Sequence, residues 1–227
     1  MPIKPEVIAE YDRLRSEPDS IFGSGLGFLG TFLRSTLFRV VPTVDNAALV
    51  RTAANCKPTS SVIEKIDRLT RQCYGIPPGR QVNNLEELKQ EIRDLVRGRV
   101  VVDCLSEANA LSQEIVQAAD REKWPWSDKR ENLYFADVNG YRAFHITLLV
   151  PTPYGHCYCE VQVFTVNQFS WASKTHPLQW KPAIDPPLHL KEIMKHLSDC
   201  LHTSDRLFET VKEYMISQAV SRKGNKT

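Results

Sequence analysis

Two turn signals on either side of a run of β-favouring residues place the strongest constraint on how this chain can fold. Asn139-Gly140 is a turn dipeptide, and the residues from Arg142 to Val150 that follow it predict a strand. Tyr154-Gly155 interrupts the run, and the residues from Cys157 to Thr165 resume it. The sequence therefore predicts a strand, a turn and a second strand.

The second strand carries one carboxylate among mostly apolar neighbours. Because side chains alternate along a strand, Glu160 lies on the face opposite Cys157 and Cys159. It shares its own face with Gln162 and Phe164. Burying a carboxylate is costly unless it is paired, protonated or bound to a metal. Glu160 is therefore the first residue for which we expect a chemical role.

Composition and charge narrow the class of protein. With 227 residues, 42% of them hydrophobic, the chain can bury one sizeable core, and we expect a single globular domain. The net charge of +2 provides no general basic surface for nucleic acid. The six cysteines contain no CxxC pair, which favours reduced thiols in the cytoplasm. Charges interleaved from Lys4 to Arg15 argue against a signal peptide.

An apolar, glycine-rich stretch from Ile21 to Val41 is the one segment that resembles a membrane span. Arg34 and Arg39 interrupt it, and it is only marginally long enough to cross a bilayer. We expect a helix or loop packed on the core, with no membrane association. Gly23-Ser24-Gly25-Leu26-Gly27 lacks the GK[ST] ending and the preceding strand of a nucleotide-binding loop.

Helical and strand patterns are mixed along the chain rather than regularly alternating. They predict helices near residues 4–15, 26–37, 60–69, 85–96, 106–118, 188–201 and 204–220, and a short helix through Trp171. Strands are predicted near residues 100–102 and 133–136, in addition to the two described above. We therefore expect an α+β fold in which a mixed β-sheet is flanked by helices.

Five short motifs follow one another between residues 55 and 181. They are Lys57-Pro58-Thr59-Ser60-Ser61-Val62-Ile63-Glu64-Lys65; Asp94-Leu95-Val96-Arg97-Gly98-Arg99; Asn139-Gly140-Tyr141 with His145; Glu160 with Gln162 and Thr165; and Trp171-Ala172-Ser173 with His176 and Lys181. In order and spacing they resemble the R-x-K-x-x-x-S-x-x-x-K, D-[LI]-x-x-x-R, N-G-Y-x-x-x-H, E-x-Q-x-R-T and W-A-S-x-x-H-x-x-x-x-K motifs of the RelA/SpoT synthetase domain. The resemblance is to the single-domain small alarmone synthetases of that family, including their toxic variants.

The resemblance implies a nucleotidyltransferase-like fold that binds ATP. Lys57, Ser61 and Lys65 would hold the phosphates of ATP, and Lys57 precedes a helix N-terminus, which also favours anions. Arg99 would stack on the adenine, a role that suits a planar guanidinium. On the residues alone, two lysines eight positions apart are better explained as solvated surface.

The resemblance also assigns the two carboxylates. Asp94 would be a ligand of Mg²⁺, which proteins usually hold through one or two carboxylates and substrate phosphates. Glu160 would activate the attacking hydroxyl and assist the metal. Without the motifs, Asp94 would be explained by helix-end capping and Glu160 by a buried salt bridge.

For the acceptor nucleotide, the resemblance points to the N-G-Y motif and its neighbours. Tyr141 would stack on the purine base, and Asn139 belongs to the same acceptor-binding motif. His145 and Gln162 would face the phosphates of the acceptor. On the residues alone, Tyr141 is better explained as a turn aromatic that packs on the sheet, and His145 as a core histidine.

Three positions depart from the family motifs, and each departure removes a cation. Asn55 replaces the first arginine of R-x-K, and Arg51 is a candidate substitute for it. Asp137 replaces a basic residue before N-G-Y, and Phe164 replaces the arginine of E-x-Q-x-R-T. These departures predict either an altered acceptor or a weakened or lost activity.

The implied function is a Mg²⁺-dependent nucleotide 3′-pyrophosphokinase. It would transfer the β,γ-pyrophosphate of ATP to a purine nucleotide, giving (p)ppGpp or (p)ppApp. The alternatives are pyrophosphorylation of the tRNA 3′ end, which the net charge does not favour, and a degenerate module that binds a nucleotide or a protein. We expect an N-terminal helical segment over 1–50, a catalytic core over 51–181 and C-terminal helices over 182–227. The implied location is the cytoplasm. Small members of the family often form tetramers, but the C-terminal helices of this chain are explained equally well as an oligomer interface or as a lid.

Overall fold

The structure, a computed structural model, describes residues 2–41, 52–71, 81–125, 134–137, 140–179 and 187–224. Within these ranges it contains seven helices and five strands. The helices are α1 (Pro5–Leu14), α2 (Ile21–Val40), α3 (Thr59–Arg71), α4 (Leu85–Glu91), α5 (Leu105–Arg121), α6 (Val166–Gln179) and α7 (Leu188–Gly224). The strands are β1 (Thr52–Cys56), β2 (Val96–Val102), β3 (Tyr134–Ala136), β4 (Arg142–Thr152) and β5 (Gly155–Thr165).

The strands form one five-stranded sheet in the order β1-β2-β5-β4-β3. β1 pairs with β2 in antiparallel register, with Asn55 opposite Arg97. β3 pairs with β4, also antiparallel, with Tyr134 opposite Phe144. The two strands that the turn signals predicted are confirmed as β4 and β5, and the α+β fold class is confirmed with them.

The chain divides into two compact units, each of which draws on several segments. The first unit comprises residues 1–100, 114–131 and 145–162. The second comprises residues 101–113, 132–144 and 163–227. Both predicted domain boundaries, near residues 50 and 181, lie outside the described residues and stay predictions.

In the first unit, α2 covers one face of β1 and β2. The backbone at Gly98 approaches α2 so closely that a Cβ atom there would lie 2.5 Å from Leu33 Cδ1. A Cβ atom on Gly25 would lie 3.1 Å from Cys157 Sγ of β5. Because one face of the strands is filled by this apolar packing, their polar side chains lie on the opposite face.

Helix α2 is the one helix in the described ranges that is long and apolar enough to cross a membrane. It packs on β1, and its buried residues include Leu29, Leu33 and Leu37. Ser20 caps its first turn by accepting a hydrogen bond of 3.0 Å from the Gly23 N–H. The predicted helix packed on the core is therefore confirmed, although it begins five residues earlier than expected.

In the second unit, α7 contacts its neighbours through polar groups. Trp171 Nε1 on α6 donates a hydrogen bond of 3.0 Å to the carbonyl oxygen of Met194. The Asp205 carboxylate accepts hydrogen bonds from Thr165 Oγ1 at 2.6 Å and from Asn167 Nδ2 at 2.9 Å. These bonds fix the long helix on the end of β5 and the start of α6.

The prediction of two C-terminal helices was wrong, because residues 188–224 form one continuous helix. The predicted break near residues 202–204 contains no glycine or proline. Thr203 Oγ1 instead donates a hydrogen bond of 2.9 Å to the Asp199 carbonyl oxygen within the helix. The predicted helix over 85–96 is also shorter, since α4 ends at Glu91 and Val96 begins β2.

Candidate active site

The segment that joins β1 to α3 presents Lys57 beside a helix N-terminus. α3 begins at Thr59, and Ser61 and Lys65 lie one turn apart on one side of it. Tyr11 Oη of α1 donates a hydrogen bond of 2.7 Å to the Lys57 carbonyl oxygen, which fixes the backbone there. The three residues predicted to bind the ATP phosphates therefore come from one short segment held by α1.

Asp94 lies in the turn between α4 and β2, with a lysine on each side. Its Oδ2 atom accepts a hydrogen bond of 2.5 Å from Lys57 Nζ, and its Oδ1 atom accepts one of 2.7 Å from Lys65 Nζ. Lys57 is only 6% exposed and Asp94 only 8%. The predicted metal ligand and the two predicted phosphate-binding lysines thus form one largely buried ion triad.

Burial and charge determine the protonation states in this triad. Burial alone would raise the pKa of Asp94, but Lys57 and Lys65 outweigh it and lower the pKa to about 2. For Lys57 burial dominates, and with the Arg97 guanidinium it lowers the pKa to about 8 despite the attraction of Asp94. Asp94 is therefore ionised at neutral pH, and Lys57 holds its proton less tightly than an exposed lysine.

Glu160 on β5 is held by neighbours from β4 and from its own strand. Gln162 Nε2 donates a hydrogen bond of 2.8 Å to Glu160 Oε1, and His145 Nδ1 lies 3.7 Å from Glu160 Oε2. Burial acts to raise the pKa of Glu160, but His145 and Lys65 hold it below its ordinary value, while Asp94 opposes them. The two predicted catalytic carboxylates are therefore close enough to interact, and Glu160 is ionised at neutral pH.

Two arginines lie on the polar face of β2. Arg97 and Arg99 alternate with Gly98, which faces α2. Asn55 lies opposite Arg97. The Nε atom of Arg97 is buried and has no hydrogen-bond partner among the described residues. The predicted adenine-binding Arg99 thus has a second guanidinium beside it.

Tyr141, the predicted acceptor-stacking residue, belongs to the second unit and follows a tight turn. Gly140 has a φ of +92°, and a Cβ atom there would lie 2.7 Å from Ser198 Cβ. Both the conformation and the space therefore require glycine. Asp137 Oδ1 accepts a hydrogen bond of 2.9 Å from the Tyr141 N–H, so this departure from the motif has a structural role in the turn.

Phe164 occupies the position where the motif has an arginine, and it packs against Tyr141. Its ring is 2% exposed and lies edge-to-face with the tyrosine ring, with the centroids 6.0 Å apart. Phe135 also lies 6.0 Å from the Tyr141 ring, and Phe169 lies 5.9 Å from that of Phe164. The position at which the motif has an arginine therefore holds an aromatic ring in this chain, and that ring packs against Tyr141.

Comparison with known proteins identifies the family. The family profile described as "Region found in RelA / SpoT proteins" matches residues 54–184, more than half of the chain. The chain belongs to the RelA/SpoT family. A curated member, GTP pyrophosphokinase YwaC of Bacillus subtilis (strain 168), is 24% identical over 140 residues. The match covers 56% of this chain and 61% of YwaC, so it spans less than two thirds of that relative.

Solved structures of small synthetases share this RelA/SpoT fold. Small alarmone synthetase 1 from Bacillus subtilis, bound to its product pppGpp, matches with a TM-score of 0.67 at 19% identity, over 91% of this chain and 98% of that one. A GTP pyrophosphokinase family protein from Streptococcus pneumoniae gives 0.65 at 19% identity, over 93% and 99%. At these identities the likeness establishes the fold, and it confirms the predicted synthetase architecture.

The carboxylates of this RelA/SpoT site offer the donor atoms that Mg²⁺ prefers. Asp94 and Glu160 supply hard oxygen ligands, and Mg²⁺ is usually held by one or two carboxylates with substrate phosphates. The described residues contain no group of three or more His, Cys, Asp or Glu that could hold a metal by themselves. Lysines already engage both oxygen atoms of Asp94. The donor set therefore suits a metal ion shared with the phosphates of a nucleotide.

Some residues of the RelA/SpoT site lie outside the motifs or outside the described chain. Tyr11 and Arg97 were missed, because Tyr11 lies outside the motifs and Arg97 occupies an unspecified position of the D-[LI]-x-x-x-R motif. The one signal for Arg97 is its alternation with Arg99 along a strand. Asn139 and Arg51 lie outside the described residues, so their predicted roles stay predictions.

Proposed function

We propose that this RelA/SpoT protein is an ATP-dependent pyrophosphokinase that transfers the β,γ-pyrophosphate of ATP to the 3′-hydroxyl of a guanosine nucleotide. The observation that carries the proposal is the buried triad of Lys57, Asp94 and Lys65 next to an ionised Glu160. The relative YwaC is named a GTP pyrophosphokinase, and a protein of the same fold holds pppGpp as its product. Both names favour guanosine over adenosine as the acceptor.

The donor nucleotide would bind through its phosphates to the β1–α3 segment. Lys57 and Lys65 supply positive charge, and Ser61 and the N-terminus of α3 supply hydrogen-bond donors. In the free protein Asp94 neutralises part of this charge. A triphosphate carries more negative charge than one carboxylate, so it competes for the lysines and leaves the Asp94 oxygens available to the metal.

The acceptor hydroxyl would be activated by Glu160. Its ionised carboxylate takes the proton of the 3′-hydroxyl as that oxygen attacks the β-phosphorus of ATP. The bond from the β-phosphorus to the oxygen that bridges it to the α-phosphorus breaks, and AMP leaves with the electron pair. Mg²⁺, when bound, neutralises charge on the transferred phosphates. His145 and Gln162 orient Glu160, in addition to the acceptor-phosphate role that the motifs assign to them.

The acceptor base would stack on Tyr141, whose position is set by Asp137 and Phe164. An aromatic platform of this kind contributes stacking energy with little preference among bases. Because Asp137 and Phe164 have structural roles beside Tyr141, their presence supports a retained acceptor site. This site would hold the 5′ phosphates with fewer cations than the family motifs provide. Because ATP and guanosine nucleotides are intracellular substrates, we place the protein in the cytoplasm, where its described free thiols would stay reduced.

The test is transfer of label from γ-³²P-ATP with Mg²⁺ to GDP, GTP, AMP, ADP, ATP or deacylated tRNA, each offered separately. We expect labelled (p)ppGpp with the guanosine nucleotides and no product with Glu160→Gln. Label on an adenosine nucleotide or on tRNA instead would overturn the acceptor assignment. Failure to label any acceptor would overturn the enzymatic proposal and leave a module that only binds a nucleotide or a protein.

We further propose that the chain forms homo-oligomers through α7. Eight residues, here called the α7 seam, repeat at alternating spacings of three and four along the helix: Leu190, Ile193, Leu197, Cys200, Ser204, Leu207, Val211 and Tyr214. All eight are exposed, and Leu207 and Tyr214 are 64% and 62% exposed. This spacing is that of the a and d positions of a coiled coil. The helix therefore turns its polar side to its own unit and its apolar side to solvent.

A second copy of the chain is the occupant that fits the α7 seam. The positions that flank it on one side are Met194, Leu201, Phe208 and Met215, and those on the other are His189, His196, Thr203 and Thr210. None of these is an acid, a lysine or an arginine. Two identical helices can therefore approach without repulsion between like charges, whereas a strongly charged partner would find no counter-charge along the seam.

A further inference from the structure

The polar face of β1 and β2 contains a replacement for the arginine that the R-x-K motif lacks. Asn55 stands where the motif has that arginine, and the strand register places Arg97 directly opposite Asn55. Directly opposed side chains in an antiparallel pair have Cβ atoms about 4.5–5.5 Å apart. A guanidinium lost from position 55 is therefore recovered from the neighbouring strand at almost the same place on the sheet.

Arg97 is oriented toward the site rather than toward the core. Gly98 faces α2, where a Cβ atom would collide with Leu33, so the alternation of the strand turns Arg97 and Arg99 to the other face. The Arg97 charge contributes to lowering the pKa of both Lys57 and Arg99, which shows that it lies near both. Arg97 is thus surrounded by the residues assigned to ATP.

The Arg97 guanidinium is also incompletely satisfied. Its Nε atom is buried and finds no hydrogen-bond partner in the described part of the chain. A buried donor without a partner is uncommon and calls for an explanation such as a missing ligand. Four cations that interact in this part of the first unit, Lys57, Lys65, Arg97 and Arg99, face the two carboxylates of Asp94 and Glu160. This excess of positive charge favours an anionic ligand.

The spacing of Arg97 and Arg99 suits a planar base. Residues two apart on a strand are separated by about 6.6 Å, since each residue rises about 3.3 Å. A flat ring in van der Waals contact with a planar group on each side needs about 7 Å, twice the contact distance of about 3.5 Å. Two guanidinium groups at i and i+2 can therefore hold one base between them, and both also attract the phosphates.

We propose that Arg97 binds the adenine of ATP together with Arg99, replacing across the β1–β2 pair the arginine that is absent at position 55. This inference rests on the proposed function, because it assigns a residue to the donor site of that reaction. It explains how the donor site persists although Asn55 has lost the charge. It also makes position 97, an unspecified position of the D-[LI]-x-x-x-R motif, decisive for ATP affinity in this chain.

The test is calorimetric binding of the ATP analogue AMPCPP and, separately, of inorganic tripolyphosphate, which has the charge but no base. For Arg97→Ala we expect AMPCPP to bind about 10- to 100-fold more weakly, the range for loss of a stacked base. Tripolyphosphate should lose distinctly less affinity. Equal losses for the two ligands would overturn the adenine assignment, because they would show that Arg97 acts only on phosphate.

Relocation of the arginine provides the sharper measurement. The double variant Asn55→Arg/Arg97→Ala restores a guanidinium on the opposite strand, and we expect it to recover AMPCPP affinity to within about threefold of wild type. Arg97→Lys keeps the positive charge but has no planar guanidinium group, so it should bind tripolyphosphate like wild type but not recover AMPCPP binding. Full recovery of AMPCPP binding by Arg97→Lys, or none by the double variant, would overturn the proposal.

Matched controls separate this inference from the proposed function. Arg34→Ala removes the same charge from an exposed position on α2, which packs on the other face of the strands, and should leave AMPCPP binding unchanged. Thermal melts confirm that each variant is folded. If wild type neither binds AMPCPP nor makes product, the proposed function fails. If wild type does both and Arg97→Ala matches it, this inference alone fails.

Discussion

At the scale of single residues, the two carboxylates that we propose to be catalytic, Asp94 and Glu160, differ in what surrounds them. Asp94 is bonded to two lysines, one of which is almost fully buried. Glu160 is bonded to a neutral amide and lies near a histidine, and its side chain is 21% exposed. Removal of the Asp94 charge leaves the buried Lys57 ammonium without a partner. Removal of the Glu160 charge leaves only an amide and a histidine, which can reorganise.

The first prediction follows from this contrast. Glu160→Gln should lower the transfer rate by about two to four orders of magnitude with little change in the melting temperature. Asp94→Asn should lower the rate and also destabilise the fold by about 3 kcal/mol, because Lys57 loses its counter-charge. Denaturant unfolding of both variants beside the rate assay measures this. Equal stability of the two would show that Lys57 finds another partner or becomes neutral at no cost.

The second prediction concerns pH and Lys57, whose pKa is about 8. As the pH rises through 8, the ammonium loses its proton and its attraction for the ATP phosphates, so kcat/KM for ATP should fall. In Lys57→Arg the cation persists to much higher pH, and the fall near pH 8 should disappear. A profile from pH 6 to 10 at saturating acceptor tests both statements. An identical alkaline limb in both proteins would assign it to another group.

The low pKa of Lys57 affects stability in the direction opposite to its effect on activity. Between the folded value of about 8 and the ordinary value of 10.5, the unfolded chain binds the Lys57 proton more tightly than the folded chain. The contribution of Lys57 to the free energy of unfolding therefore increases as the pH rises through this window. Activity and this stability contribution should thus change in opposite directions above pH 8.

Motif spacing predicted residues that the fold brings together, but not the residues that support them. The motifs assigned Lys57 to the ATP phosphates and Asp94 to the metal of the same site, but they did not predict the ion pair between them. The role of Asp137 depends on the backbone of one turn, and that of Tyr11 on a contact between segments 46 positions apart. Neither role follows from a motif, because the first requires the exact backbone conformation of the turn and the second a long-range contact, and neither was predicted.

At the scale of elements, the sequence predicted the helices and strands whose hydrophobic pattern or flanking turns are clear. β4 and β5 were found because turn dipeptides bound runs of β-favouring residues. β1 was missed, since Thr52–Cys56 has only one β-branched residue and its extended form comes from pairing with β2. The continuity of α7 was missed because the sequence predicts two helices, over 188–201 and 204–220, whereas the Thr203 hydroxyl bonds to the Asp199 carbonyl oxygen within one helix.

The third prediction concerns the α7 seam. Val211→Glu places a carboxylate in the seam, and if two copies pair there it should weaken association by about 3 kcal/mol, or about 100-fold. Light scattering coupled to size exclusion measures the mass. Arg206→Ala makes the same change in net charge at an exposed position off the seam and should leave the mass unchanged. A monomeric wild type, or an unaltered Val211→Glu oligomer, would contradict the pairing.

The orientation of the paired helices can be measured in the same experiment. Cys200 lies in the seam and is exposed. A parallel pair in register brings the two Cys200 thiols together, so mild oxidation should cross-link it, with Cys200→Ser as the control. An antiparallel pair places Cys200 against a different residue and should stay uncross-linked while the oligomer persists.

At the scale of the whole molecule, the residues assigned to the two substrates are distributed unevenly between the units. Lys57, Ser61, Lys65 and Arg99 belong to the first unit, with both carboxylates. Tyr141 belongs to the second unit, where Gly140 is hydrogen-bonded to Ser198 of α7 and Arg142 pairs with Asp199 at 2.7 Å. His145 and Gln162, which the motifs assign to the acceptor phosphates, lie in the first unit. Affinity for ATP and stacking of the acceptor base should therefore respond to separate sets of substitutions.

The fourth prediction tests this separation. Tyr141→Ala removes the stacking platform, so KM for the guanosine acceptor should rise about 5- to 100-fold while KM for ATP stays within about twofold. Tyr141→Phe keeps the ring and should behave as wild type. Two-substrate kinetics with both variants make the measurement. A larger effect of Tyr141→Ala on ATP than on the acceptor would assign the tyrosine to the donor. An unchanged KM for both would leave Tyr141 as a packing residue beside Phe164, and the acceptor base would then have to bind elsewhere.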